Sequence, residues 1–217
     1  MNLSSQFTVL IGSCARGTHE ATSDLDIVRI GHHQEIARNW LPQAERALGP
    51  ISFIDYEQEE FMRLHRQGSL FLHHIFQEGI VLGGPHDTWA ELCDGFIVCD
   101  DFKDQIEEQR DLLLWICDPI AFENAELALL SHTFRILKNL SIFSLAQRRQ
   151  YIFEKREALS AFLPGLRSDD VENLLAANMI FERNQPDESL QPNTLEQSNL
   201  SELIRRITNE LNAVGVL

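Results

Sequence analysis

The chain has 217 residues, enough to bury a core without disulfides or structural metal. Hydrophobic residues make up 44% and charged residues 24%, and a formal net charge of -15 argues against strong nonspecific DNA binding, because a polyanion is held by Lys and Arg. No apolar run reaches bilayer length and the opening MNLSSQFTVLIG lacks the basic start and long apolar stretch of a secretory signal, so the expectation is a cytoplasmic protein with no membrane partner.

Four cysteines, Cys14, Cys93, Cys99 and Cys117, show no CxxC spacing, which argues against a zinc knuckle or a disulfide framework. Residues 7–11, FTVLI, read as a strand ending at Gly12, and SCARG after it as a turn into a short helix with Ser13 as its cap. DLDIVRI alternates, placing Asp24, Asp26 and Val28 on one face of a second strand. Helical spacing runs over 34–48, interrupted by Pro42, before a third strand at ISFIDY, 51–56. Helices are expected at 57–66 and across SLFLHHIFQEG, then a short strand at IVL before Gly83, Gly84 and Pro85.

Beyond about residue 86 helical patterns dominate, at roughly 101–116, 121–145, 149–162, 168–183 and 199–213, with a polar, proline-containing loop from Arg183 to Asn199. The fold class read from this order is α+β: a small mixed β-sheet flanked by helices over 1–86, then a helical, bundle-like domain over 87–217.

The stretch GSCARGTHEATSDLD carries the chemistry. Gly12 lets a phosphate approach the backbone, and Ser13 offers a hydroxyl and the first amides of a helix. Asp24 and Asp26 are hard oxygen ligands suited to magnesium or manganese, and Arg16 is placed to reach a phosphate.

A Gly-Ser pair, a spacer and an Asp-x-Asp resemble the signature of the polymerase-beta-like nucleotidyltransferase superfamily, tightly over residues 12–26 and in element order over the first 84 or so. EEFMRLHRQGSLFLHHIFQEGIVLGG is also similar to the region after the third strand in stand-alone bacterial members. The resemblance implies a nucleotidyltransferase fold, a nucleoside triphosphate substrate, a magnesium or manganese site on Asp24 and Asp26, and transfer of a nucleoside monophosphate to a protein, RNA or small-molecule acceptor. It also implies a toxin–antitoxin or phage-defence setting, with a helical domain that selects the acceptor or binds a partner protein or a second copy.

The pattern departs from the family at one point. Active members carry a third carboxylate on the next core strand, and the preferred alignment puts Ser52 there. Serine is no base at neutral pH. Asp55 is the alternative catalytic acid, but in a regular strand it faces away from Ser52 and needs a shifted register or a bulge to serve. A second function class is therefore kept: a nucleotide-binding or partner-binding regulatory subunit that retains the fold and has lost efficient transfer.

The histidines, including His32-His33 and His73-His74, lack zinc-ligand spacing, and His19 is the one within the spacer loop. In the helical part Arg135, Lys138, Lys155 and Arg156 offer phosphate or acceptor contacts, against the alternative of a solvated face paired with the many acids. An alternative resemblance to the HEPN ribonuclease bundle fails, because no Arg-x4-6-His motif surrounds His132.

Overall fold

A computed structural model describes residues 5–19, 23–31, 45–46, 49–116, 126–183 and 197–216. The helix expected over 34–48 lies outside the described residues except at 45 and 46, as do Thr22, His32, His33, Cys117 and most of the loop expected over 183–199. The described chain is α+β, with a small mixed sheet and mostly helices. It divides into two compact units, Met1–Cys99 and Asp100–Leu217.

The first unit is built on four strands: β1 (Phe7–Ile11), β2 (Leu25–Ile30), β3 (Ile51–Tyr56) and β4 (Ile80–Gly83), in the order β3-β2-β1-β4. β1 is antiparallel to β2 and to β4, whereas β3 runs parallel to β2. A parallel neighbour requires a crossover of about a dozen residues or more, and the interval 31–50 provides it.

Alternation along β1 sends Phe7, Val9 and Ile11 into the core, where they meet Ile30, Val28 and the carboxylate-bearing Asp26 across the β1–β2 ladder. Covering this face are α2 (Gln58–Arg66), with Phe61 and Met62, α3 (Leu70–Glu78), with Leu72 and Ile75, and α4 (His86–Asp94), with Trp89 and Leu92. The i, i+3 spacing of a helix face accounts for the inward pairs of α3 and α4. Phe76 lies 5.1 Å from both Trp89 and Phe96, ring centre to ring centre, so aromatic packing ties the late residues of the unit to α3.

Helix α4 has no counterpart in the sequence reading, which expects helices to resume at about 101. Its nine residues offer one buried pair, Trp89 and Leu92, after Pro85, too short a period to stand out from a loop. It explains why the compact unit continues past residue 86. Gly68 closes the unit's far end: at φ +67°, its Cα faces the 97–99 backbone so closely that a Cβ would stand 2.4 Å from Cys99 N, and Cys99 N–H donates to Gly68 O at 2.8 Å.

Among the described residues, the second unit contains α5 (Lys103–Ile116), α6 (Glu126–Gln147), α7 (Lys155–Phe162), α8 (Ser168–Arg183) and α9 (Gln197–Ala213). Its core is aliphatic, with Leu137, Leu140, Leu159, Leu174 and Leu211 fully enclosed. Helix α7 starts at 155 rather than at the expected 149. Residues 151–153 are not helical, and Glu154 caps the helix by accepting from Glu157 N–H. No helix among the described residues is long and apolar enough to cross a membrane.

Candidate functional site

The site begins where β1 ends. Ile11 stands opposite Asp26 in the antiparallel ladder, and the chain then turns at Gly12 into α1 (Gly12–Arg16). Gly12 has φ +73°, a conformation costly for any residue with a side chain. A Cβ there would lie 2.8 Å from Asp26 Oδ2, so the Asp26 carboxylate rests against the bare Cα of the Gly-Ser turn. Glycine is needed twice, for the backbone angle and for the close approach.

Helix α1 is a single turn closed by Gly17 at φ +72°, whose N–H donates to Cys14 O. Cys14 S–H reaches the Asp24 carbonyl at 3.5 Å, linking this turn to the residue just before β2. Asp24 therefore precedes the strand instead of opening it, and β2 starts at Leu25, whose N–H donates to Pro50 O at 2.8 Å. Gly12, Ser13, Asp24 and Asp26 are thus brought together, and all four are partly exposed.

The parallel ladder fixes the remaining acid. Asp26 pairs with Ser52 and Arg29 with Asp55, in unbroken register. Side chains alternate faces, so Asp55 lies on the opposite face of the sheet from Asp26. Arg29 there grips Asp55 with a two-pronged ion pair, Nε to Oδ1 and Nη2 to Oδ2, each 2.5 Å, while its guanidinium lies 4.6 Å from the Phe53 ring centre. Asp55 is corrected from catalytic candidate to counter-ion. Neither the shifted register nor the bulge that it required is present in β2 and β3. The position beside Asp26 belongs to exposed Ser52.

Arg16 is already engaged. Its Nη1 donates to Glu78 Oε2 at 2.6 Å, from α1 to the last residue of α3, and His74 Nε2 meets the same oxygen at 3.2 Å. All three side chains are largely enclosed, at 21%, 15% and 16% exposure. Burial holds the His74 imidazole below its ordinary pKa; Glu78 opposes that shift, while Arg16 and His73 reinforce it. With Nε2–H donating to Glu78, neutral His74 leaves the carboxylate's charge for Arg16. Arg16 Nε is buried and has no hydrogen-bond partner among the described residues.

No group of three or more His, Cys, Asp and Glu able to hold a metal occurs among the described residues. The pair Asp24 and Asp26 nevertheless fits a magnesium-type ion in its donor chemistry. Such ions commonly take one or two carboxylates from the protein and the rest of their oxygens from substrate phosphate and water.

His19 is exposed, and His73 stacks on Phe96 with ring centres 6.2 Å apart. Among the cations of the second unit, Arg156 forks onto Glu172 at 2.8 and 3.2 Å, and burial beside Arg135 and Lys155 lowers the Lys138 pKa. His132 packs against Phe181. Glu78 and His74 are the members of the cluster that sequence reasoning assigned no role. Their only local signal is the i, i+4 spacing on one helix, which does not point to Arg16.

Neither a family model nor a curated protein matches the chain.

Proposed function

We propose that the chain is a metal-dependent nucleotidyltransferase, with the polymerase-beta-like fold in its first unit. It transfers a nucleoside monophosphate from a nucleoside triphosphate to a hydroxyl of a protein, RNA or small molecule. The observation that carries this reading is the seat of the Asp26 carboxylate against Gly12, so close that a Cβ on Gly12 would stand 2.8 Å from Asp26 Oδ2. A Gly-Ser turn used only to cap a helix has no need of that approach, and an acid used only for solubility has no need to be at a strand end facing the core side of a sheet.

Asp24 and Asp26 are the residues that would hold a magnesium or manganese ion, which when bound would offset the negative charge of the triphosphate oxygens. In this reading the Gly12–Ser13 turn would receive a phosphate, with Arg16 adding a cation one helical turn away. In the reaction the acceptor oxygen forms a bond to the α-phosphorus while the bond from that phosphorus to the β-bridging oxygen breaks. Pyrophosphate leaves with the electron pair, and the acceptor's proton passes to solvent, because Ser52 does not serve as a carboxylate base.

Ser52 also favours a second reading, in which the chain binds nucleotide as a regulatory subunit and transfers inefficiently. A partner protein or second copy, in a toxin–antitoxin or phage-defence system, would suit either reading. Incubation with magnesium or manganese, each α-labelled triphosphate, and cell RNA or lysate separates the two. Label moved by wild type and lost with Asp24→Ala/Asp26→Ala supports the transferase. Metal-dependent binding without label transfer supports the subunit, and neither binding nor transfer overturns both.

A further inference from the structure

Arg16 is the best-placed cation near the Gly-Ser turn, yet its side chain is tied to a residue 62 positions away in the sequence. Gly12, Ser13 and Arg16 lie within one helical turn of each other, and residues three or four apart share a helix face. Glu78 takes one terminal nitrogen of the guanidinium at 2.6 Å, which fixes the planar fork in one orientation. His74, four residues before Glu78 on the same helix, donates to the same oxygen and fixes the carboxylate in turn. A purely structural ion pair would be expected to satisfy every buried donor. Here, among the described residues, Arg16 Nε is buried without a hydrogen-bond partner, so the ion pair with Glu78 leaves part of the guanidinium's donor capacity uncommitted.

We propose that Glu78 is a positioning residue, held by His74, which orients Arg16 so that its remaining donors receive a phosphate of the substrate's triphosphate chain. The inference rests on the nucleotidyltransferase or nucleotide-binding reading of the Gly-Ser turn, and it adds residues of α3 to a site otherwise assigned to β1, α1 and β2. Glu78 itself touches no substrate. It acts by holding Arg16 in place, so that less side-chain freedom is lost when the phosphate binds.

The test uses the full chain and inorganic triphosphate with magnesium, titrated by calorimetry, with melting temperature recorded for every variant. Arg16→Ala is expected to weaken binding roughly tenfold to a hundredfold, as for loss of a charged hydrogen bond. Glu78→Gln, which keeps the size and one acceptor, should weaken it several-fold at a nearly unchanged melting temperature. The double variant should bind no worse than Arg16→Ala alone, since Glu78 acts only through Arg16. His74→Ala, which removes the donor that holds Glu78, should weaken binding by a smaller factor than Glu78→Gln does.

If Arg16→Ala weakens binding but Glu78→Gln does not, or if their effects simply add, the positioning role is overturned while the nucleotide site stands. If wild type binds triphosphate and Arg16→Ala binds equally well, the assignment of Arg16 is overturned with it. If wild type binds neither triphosphate nor any nucleoside triphosphate, the underlying reading fails, and this inference with it.

Discussion

The two units use polar side chains differently. In the second, buried polar groups hold helices together: Asp170, 2% exposed, receives both prongs of Arg206, and Glu210 accepts from Gly165 N–H, so α9 is bound to α8 and to the turn before it. Most of that unit's core is apolar and dominated by leucine, and it stabilises chiefly by burial. In the first unit, polar groups distant in sequence gather at one end of a small sheet, as Gly12 with Asp26 and Arg16 with Glu78, where little packing is gained. The contrast teaches where to look for chemistry: in the unit whose polar contacts are poorly explained by stability.

The largest stability effect should fall in the second unit. Leu137 is fully buried at the centre of α6, and Leu137→Ala should cost about 2–5 kcal/mol in urea unfolding. Its nucleotide affinity should be unchanged where the variant remains folded, and a large loss of affinity would erase the distinction between the units.

Gly12→Ala should behave in the opposite way. The strained backbone, at φ +73°, costs about 1–3 kcal/mol, and the methyl group meets Asp26 Oδ2 at 2.8 Å. Binding of a metal–triphosphate complex should fall further than that modest destabilisation explains. Equal binding would show that the close approach serves only the turn.

A smaller effect sharpens the picture within the sheet. Asp55→Asn removes the charge that Arg29 grips and leaves a guanidinium only 8% exposed with a neutral partner, so although Asp55 is 53% exposed the stability loss should be about 1–2 kcal/mol. Label transfer should stay within about twofold of wild type, whereas a loss comparable with that of an Asp26 variant would return Asp55 to the site.

The smallest effect is a pH dependence. The folded-state pKa of His74 lies below its ordinary 6.5, so the unfolded chain binds more protons in the interval between. The stability this group contributes is complete above about pH 6.5 and is lost as the pH falls toward the folded value. His74→Gln should therefore flatten the fall in urea midpoint between about pH 7.5 and 5.5, without abolishing it, because burial lowers His73 as well.

Much of the first unit is legible from the chain itself. The β-branched and aromatic run FTVLI and the strand-like ISFIDY mark β1 and β3 at their observed ends, and side chains along a strand alternate faces. The same alternation, once the Asp26–Ser52 register is known, puts Asp55 on the wrong face. The Gly-Ser and Asp-x-Asp pairing is legible as a motif, since each residue type has a physical requirement there. Helix α4 is not, having a single apolar pair to show. Glu78 and His74 are not legible either: their spacing reads as a helix face, and only the fold brings α3 to Arg16.

The most direct test of the central claim is equilibrium binding of each nucleoside triphosphate, with and without magnesium, to wild type and to Asp24→Ala/Asp26→Ala. The account predicts binding to wild type that depends on the metal and is lost in the variant at an unchanged melting temperature. Binding that is equal in both proteins, or absent from wild type, would contradict it.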